Sequence, residues 1–370
     1  MSTSLDETLR AAVRELADHV GPAPDLAARA LGRGRRLRRR RRVAAAGAAL
    51  VAVVAVTLPF VLLRPAAAPP PATPPATVTP PATATPSPTL LPPPGPDWTT
   101  KPLVLPGGWV VTRAQASGGS GNGFLLDRGR GRYFATDRYD GIFPAPTGAL
   151  VAVRDDDRPR EIGLFDLASG KTRWYVVGRA LSVPRWSPDG RRLLFTTTQL
   201  DNEGFIVMEV DGTKHTHRVD RGAYFCTDYC DFTWTRDGRE VALPQTGGGG
   251  HNEAVRDKRR GVQFFSADDG RPTRLLPVPG DPAGPWAWSP DGTLVVVRGQ
   301  QEPQLVETAT GRVVNPLPSA EVVWLSDDRL LYRQPLGTGE FVLADIAGRE
   351  LVRQPLPKQL IDLEVSVAPR

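Results

Sequence analysis

The sequence predicts an all-β domain of repeated four-stranded units, preceded by a short helical N-terminus and one transmembrane helix. Three observations carry this expectation. A Trp-x-x-Asp-Gly turn recurs along the C-terminal part of the chain, and a second glycine turn follows each copy at a similar offset. Ahead of them, one apolar run of 21 residues stands directly behind a block of arginines.

The N-terminal element is residues 1–42, an Arg-rich cytoplasmic head. It holds 11 arginines against 5 carboxylates, an excess that accounts for the whole net charge of +6. The remaining charges cancel, so no basic stripe is expected on the large domain and nucleic acid is not an expected partner. Ser4-x-x-Glu7 has the form of a capping box. Behind it, Leu5, Leu9, Val13, Leu16 and Val20 fall along one helical face. Such a helix has no core of its own. Its stripe can dock on a cytoplasmic protein partner through residues 1–30, lie on the inner leaflet, or fray.

Residues 43–63, VAAAGAALVAVVAVTLPFVLL, carry no charge; as a helix they span about 30 Å, the thickness of a hydrocarbon core. Arg33, Arg35, Arg36 and Arg38 to Arg42 precede the run, and Arg64 alone follows it. The positive-inside rule then leaves the N-terminus in the cytoplasm and the rest of the chain outside. The Arg block also attracts the anionic inner leaflet. The competing reading is a signal peptide cut after Ala66-Ala67-Ala68. Pro69 would follow that cut, so a retained anchor in the cell membrane is expected. Residues 64–97 form the linker, with 14 prolines between 65 and 96. Proline fixes φ and has no N–H to donate, so a stiff polyproline-II spacer is expected, with neither helix nor sheet.

Residues 98–370 contain the repeats. Trp186-Ser187-Pro188-Asp189-Gly190, Trp234-Thr235-Arg236-Asp237-Gly238 and Trp288-Ser289-Pro290-Asp291-Gly292 each precede an apolar run. Trp324-Leu325-Ser326-Asp327-Asp328 and Pro144-Ala145-Pro146-Thr147-Gly148 are degenerate copies. Asp-Gly supplies the positive φ of a tight turn, and a Trp recurring at one register position is expected to pack between units. The second turns follow at Gly170, Gly212, Gly270, Gly311 and Gly348. Two hairpins per unit, with anchors 36 to 54 residues apart, give the period of a propeller blade. Five blades are clear. A sixth combines strands at Trp109 to Arg113, Gly123 to Leu126 and Tyr133 to Thr136 with a C-terminal strand at Ile361 to Val367, closing the ring. Six blades are expected, with seven as the alternative.

The W-S-P-D-G turns at Trp186 to Gly190 and Trp288 to Gly292 resemble those of the TolB-type, WD-repeat-like β-propellers. The resemblance covers about residues 100–370 and implies the fold rather than an activity. Leu9-Arg10-Ala11-Ala12, Pro24-Asp25-Leu26-Ala27 and the Arg run resemble the cytoplasmic heads of actinobacterial single-pass proteins often associated with extracytoplasmic-function sigma factors.

No catalytic, cofactor or metal site is expected. Ser169-Gly170-Lys171-Thr172 has Phe165 where a phosphate-binding loop needs glycine. Gly118-Gly119-Ser120-Gly121-Asn122 departs from G-x-S-x-G at Asn122. His215 and His217 share a strand face without an evident third ligand. Cys226 and Cys230 form a disulfide if the backbone turns between them, or else remain buried thiols. The longest unit holds about ten extra residues near Gly247 to Arg260. Gly247, His251, Lys258, Arg259 and Arg260 therefore mark the candidate binding loop.

The expected protein is not an enzyme. It is a cell-envelope binding or sensory module with a protein or glycan ligand outside, its head reporting to a cytoplasmic regulator such as a sigma factor. The alternative is a purely structural envelope scaffold.

Overall fold

The computed structural model describes residues 87–116, 123–178, 182–197, 203–220, 223–224, 226, 231–247, 258–334 and 339–370. The expected head, the membrane helix at 43–63 and most of the linker lie outside them. Among the described residues, no helix is long and apolar enough to cross a membrane.

The described chain is a succession of six sheets, each built of four antiparallel strands, with β1 added in parallel to the edge of one. A short strand, β1 (Thr89–Leu90), comes first. Blade 1 takes β2 (Trp109–Gln115), β3 (Gly123–Asp127) and β4 (Arg132–Thr136). Blade 2 is β5 (Gly141–Pro144), β6 (Leu150–Arg154), β7 (Glu161–Asp166) and β8 (Lys171–Val176). Blade 3 is β9 (Arg185–Trp186), β10 (Arg192–Thr197), β11 (Gly204–Glu209) and β12 (Lys214–Arg218). Blade 4 is β13 (Thr233–Trp234), β14 (Glu240–Thr246), β15 (Arg259–Ser266) and β16 (Pro272–Leu276). Blade 5 is β17 (Asp281–Pro282), β18 (Leu294–Arg298), β19 (Pro303–Glu307) and β20 (Val313–Pro316). Blade 6 is β21 (Val322–Ser326), β22 (Arg329–Arg333), β23 (Glu340–Asp345) and β24 (Glu350–Pro355). The last strand, β25 (Glu364–Pro369), returns to blade 1 and pairs antiparallel with β2, from Trp109↔Pro369 to Gln115↔Glu364. The ring therefore closes as the sequence predicts, with six blades. The closing strand starts at Glu364 rather than Ile361, because Lys358–Leu360 form a 3-10 turn and Ile361 keeps helical dihedrals.

Each repeat motif is the turn between the first two strands of a blade. Ser187 shows why the sequence folds so. Its hydroxyl donates to Asp189 Oδ1 at 2.5 Å and accepts the Arg192 N–H at 2.9 Å. Asp189 also accepts the Arg191 N–H at 3.1 Å, and Gly190 takes the left-handed φ of 71° that a side chain resists. Ser289 and Asp291 repeat the bond at 2.6 Å, as do Thr235 and Asp237 at 2.7 Å.

The core lies between blades rather than within one. Leu194, Phe205 and Val207 of blade 3 meet Trp234, Val241 and Phe265 of blade 4. Val262 and Phe264 of blade 4 meet Trp288 and Val295 of blade 5. Equivalent layers fill the other junctions, the largest joining blade 6 to blade 1 under Trp98. A blade buries its flat faces only against neighbours, so stability belongs to the closed ring.

The linker expectation needs one correction. Thr89 and Leu90 pair in parallel with Val352 and Arg353 of β24, and the Leu91 N–H donates to Arg353 O at 2.9 Å. Thr89-Leu90-Leu91 is a gap between prolines, so these residues keep the N–H groups a ladder needs. The structured unit accordingly begins before residue 98, at or before β1. Because β24 runs away from the Gly348 turn, its parallel partner leads the chain onto the ring from the face carrying the repeat turns.

Candidate functional site: the central channel

The first strand of each blade lines a central channel of about 880 Å3. Phe143, Arg185, Thr233, Asp281, Val322 and Glu364 represent the six blades in its wall. Three of the four repeat tryptophans fix these strands to one another through their indole N–H. Trp186 Nε1 donates to Phe143 O at 2.7 Å, Trp234 Nε1 to Arg185 O at 2.9 Å, and Trp324 Nε1 to Ala287 O at 2.9 Å. Each acceptor belongs to the inner segment of the preceding blade, so the tryptophans do pack between units, as predicted.

The two ends of the channel differ. The turn end is crossed by Arg236, which stands where the two W-S-P-D-G copies carry Pro188 and Pro290. From blade 4 its guanidinium donates to Trp288 O at 3.0 Å and Trp324 O at 3.3 Å, in blades 5 and 6. Burial lowers the pKa of Arg236, with Asp327 acting against the shift; an arginine stays charged regardless. Blade 5 adds a plug. After Pro282 its inner strand leaves the sheet, forms a 3-10 turn at Pro285–Ala287, and rejoins at the Trp288↔Val295 bridge. Two prolines without N–H groups make continued pairing unfavourable there. The excursion places Trp286 edge-on against Trp109 of blade 1 at 5.1 Å, under the Arg236 guanidinium at 5.5 Å.

The other end carries the connections between blades and between second and third strands. Here charged side chains clasp neighbouring blades. Arg113 donates to Ile142 O at 2.7 Å and lies 3.6 Å from Glu364. Arg185 contacts Asp231 at 3.3 Å and donates to Ala283 O at 3.2 Å. Arg259 holds Asp281 bidentately, at 2.5 and 3.0 Å. Arg333 donates to the carbonyls of Leu360, Ile361 and Leu363, which lead into β25. Burial lowers the pKa of both Arg113 and Arg333, and nearby carboxylates oppose it. The rim stays open to solvent, with the Asp231 and Glu364 side chains 42% and 55% exposed.

The predicted binding loop joins β14 to β15 on this same face. The Gly247 N–H donates to Lys258 O at 3.0 Å, closing the base of the excursion. Lys258 and Arg260 are exposed, and Arg260 is held by Gln245 Oε1 at 2.6 and 3.0 Å. Arg259 corrects the expectation. It is buried and clasps blade 4 to blade 5, because alternation along the strand turns it away from the side that Lys258 and Arg260 share. His251 lies outside the described residues. Cys226 is disulfide-bonded; Cys230, its expected partner, also lies outside them. Among the described residues no group of three or more His, Cys, Asp or Glu side chains could hold a metal. His217 packs on Phe205 at 4.8 Å, and burial chiefly lowers its pKa.

The channel arginines and acids were not singled out by motif. Their one signal is register: Arg185 and Thr233 immediately precede the repeat tryptophans, at positions that must line the ring axis.

No protein-family model matches the chain, and no curated protein matches it by sequence. Among solved structures it is similar to TolB from Acinetobacter baumannii, with 18% identity and a TM-score of 0.46 over 71% of this chain and 67% of that one. A nidogen/laminin complex gives 17% and 0.43, over 69% and 97%. The dihydro-heme d1 dehydrogenase NirN gives 19% and 0.40, over 71% and 57%. The blade count rests on the chain's own sheets: residues from Trp109 to Pro369 form a six-bladed β-propeller, and TolB is among the structures similar to it.

Proposed function

We propose that the protein is a single-pass membrane protein whose propeller works outside the cytoplasm as a binding module, with the rim of the channel as its contact surface. The observation that carries this reading is the asymmetry of the channel. One end is filled by Arg236, Trp286 and Trp109, whereas the other opens among half-exposed charged groups and the base of the longest loop. The chain joins the ring from the filled face, which leaves the rim unobstructed by β1. Residues 1–30 then dock a cytoplasmic regulator such as a sigma factor and report occupancy of the rim. The apolar stripe of the head and the Arg block before the anchor support that second part.

The test is photo-crosslinking in native membranes with a benzophenone amino acid at Glu321 on the rim, or at Ser169 on the turn face. The reading expects a specific envelope partner crosslinked from position 321 and not from 169. Equal capture from both positions contradicts it. Removing residues 1–30 while keeping the Arg block is expected to lose the cytoplasmic regulator and keep the envelope partner.

A further inference from the structure

We infer that the cleft between blades 1 and 2, on the turn face, binds a small aromatic carboxylate. This cleft shares no lining residue with the channel, so it stands or falls separately from the rim.

The third strand of each blade ends in a turn that holds a glycine at positive φ. At three junctions the outer strand of the preceding blade packs closely on that glycine. Tyr175 of blade 2 lies on Gly212 of blade 3, where a Cβ would overlap its ring. His217 of blade 3 lies on Gly270 of blade 4, where a Cβ would come within 2.6 Å of the imidazole. Pro277 closes the next junction against Gly311. Gly170 of blade 2 is the exception. Among the described second-turn glycines, it alone would place a Cβ with nothing within 4 Å. Register explains the gap. Tyr175 pairs with Ile162, and His217 with Phe205, each four residues before the end of its third strand. In blade 1 the residue at that place is Gly123, and its partner is Thr136. A threonine therefore stands where the next two junctions carry a ring, and a cleft of about 320 Å3 is left.

The lining says what fills it. Phe134 of blade 1 and Phe165 of blade 2 are only partly buried and face the cleft beside the buried Leu167. A space that a tyrosine or histidine ring occupies in the following junctions, with an aromatic wall, suits an aromatic group. Charge supplies the second requirement. The lining holds one carboxylate, Asp127, and two guanidiniums, Arg130 and Arg132. Asp127 is spoken for: its side chain is 7% exposed and accepts the Arg130 N–H at 3.0 Å and Arg130 Nη1 at 2.7 Å. Arg132 is exposed and meets no partner among the described residues. One positive charge is left over, and a planar carboxylate matches its fork of donors. The next junction already sets a cation beside a ring, with the Arg173 guanidinium 6.0 Å from the centre of Tyr175. The volume lies at the lower end of the range for small-ligand sites, roughly 300–1,000 Å3, which suits one ring and its acid group rather than a polymer. An aromatic side chain of a protein partner would fill the space but bring no carboxylate to Arg132.

The experiment titrates the full-length protein in lipid nanodiscs with phenylacetate, read by ligand-observed NMR, beside phenylacetamide and phenethylamine. The acid is expected to bind saturably and about tenfold more tightly than the amide, with the amine weakest. Arg132→Gln is expected to bring the acid down to the affinity of the amide. Thr136→Tyr supplies the missing ring and is expected to abolish binding of both, while the melting temperature holds or rises. Lack of saturable binding by the acid, equal affinity for acid, amide and amine, or unchanged binding of the acid in both variants overturns the inference. Specific capture of a protein from Ser169, which lines the same cleft, overturns it as well, because the occupant would then be a macromolecule.

Discussion

Trp234 is fully buried and joins two functions in one side chain: it fills the layer between blades 3 and 4, and its Nε1 ties blade 4 to Arg185 O. Trp234→Ala is expected to destabilise the ring by about 3–5 kcal/mol, read as a large fall in the urea midpoint. Trp186→Phe keeps most of the packing and loses the bond to Phe143 O, so its effect should be near 1 kcal/mol. The turn aspartates add a pH dependence. Asp291 has a lowered pKa through the Ser289 hydroxyl first and the Thr293 N–H second. Asp189 and Asp237 are also lowered, although burial, their largest influence, acts the other way; the Ser187 and Thr235 hydroxyls and backbone N–H groups outweigh it. A carboxylate with a folded pKa below its unfolded value of about 3.9 contributes stability above that value. The contribution is lost as pH falls through the folded pKa. Thermal melts between about pH 6 and pH 2.5 should therefore show a fall below about pH 4, shallower in an Asp189→Asn, Asp237→Asn, Asp291→Asn triple variant.

At the scale of elements, β25 and β1 make opposite predictions. β25 supplies the inner strand of blade 1 and is bound by Arg333 and Glu364 to both of its neighbours. Ending the chain at Asp362 should leave β2 with an open edge and abolish cooperative unfolding, with aggregation visible by size exclusion. β1 holds two residues of pairing, both exposed. Leu91→Pro removes its flanking bond to Arg353 O and should change stability by less than about 1 kcal/mol. The Arg259–Asp281 clasp lies between these extremes. Asp281→Ala takes the bidentate carboxylate away from a buried guanidinium and should cost about 3–5 kcal/mol, whereas replacing both partners with apolar residues should cost far less. A double-mutant cycle in urea separates the two.

The sequence reveals strands, turns and ring closure because the repeat has a fixed register. Trp186, Trp234, Trp288 and Trp324 mark the ends of inner segments, and Ile361 to Val367 overlaps the strand that closes the ring. Register says little about which side chains meet across the axis. Arg113 and Glu364 are neighbours although they lie at opposite ends of the repeat array. Arg236 reads in sequence as a damaged motif, yet it crosses the turn end of the channel. The departure of β17 from its sheet is also hidden, because Pro282 to Trp286 precede a regular W-S-P-D-G turn. Arg259 reads as a loop residue until strand alternation turns it inward.

For the whole molecule, an open rim and a filled turn face give a binding module its direction only if the propeller stands outside the cytoplasm. The chain offers a direct probe of that claim. Its 5 lysines, Lys101, Lys171, Lys214, Lys258 and Lys358, all lie in the propeller region and all are exposed, whereas the head has none. The decisive measurement is amine labelling of intact cells with a membrane-impermeant reagent, mapped by mass spectrometry beside a lysed control. The account predicts modification of these lysines in intact cells. Modification only after lysis would contradict it, placing the propeller in the cytoplasm.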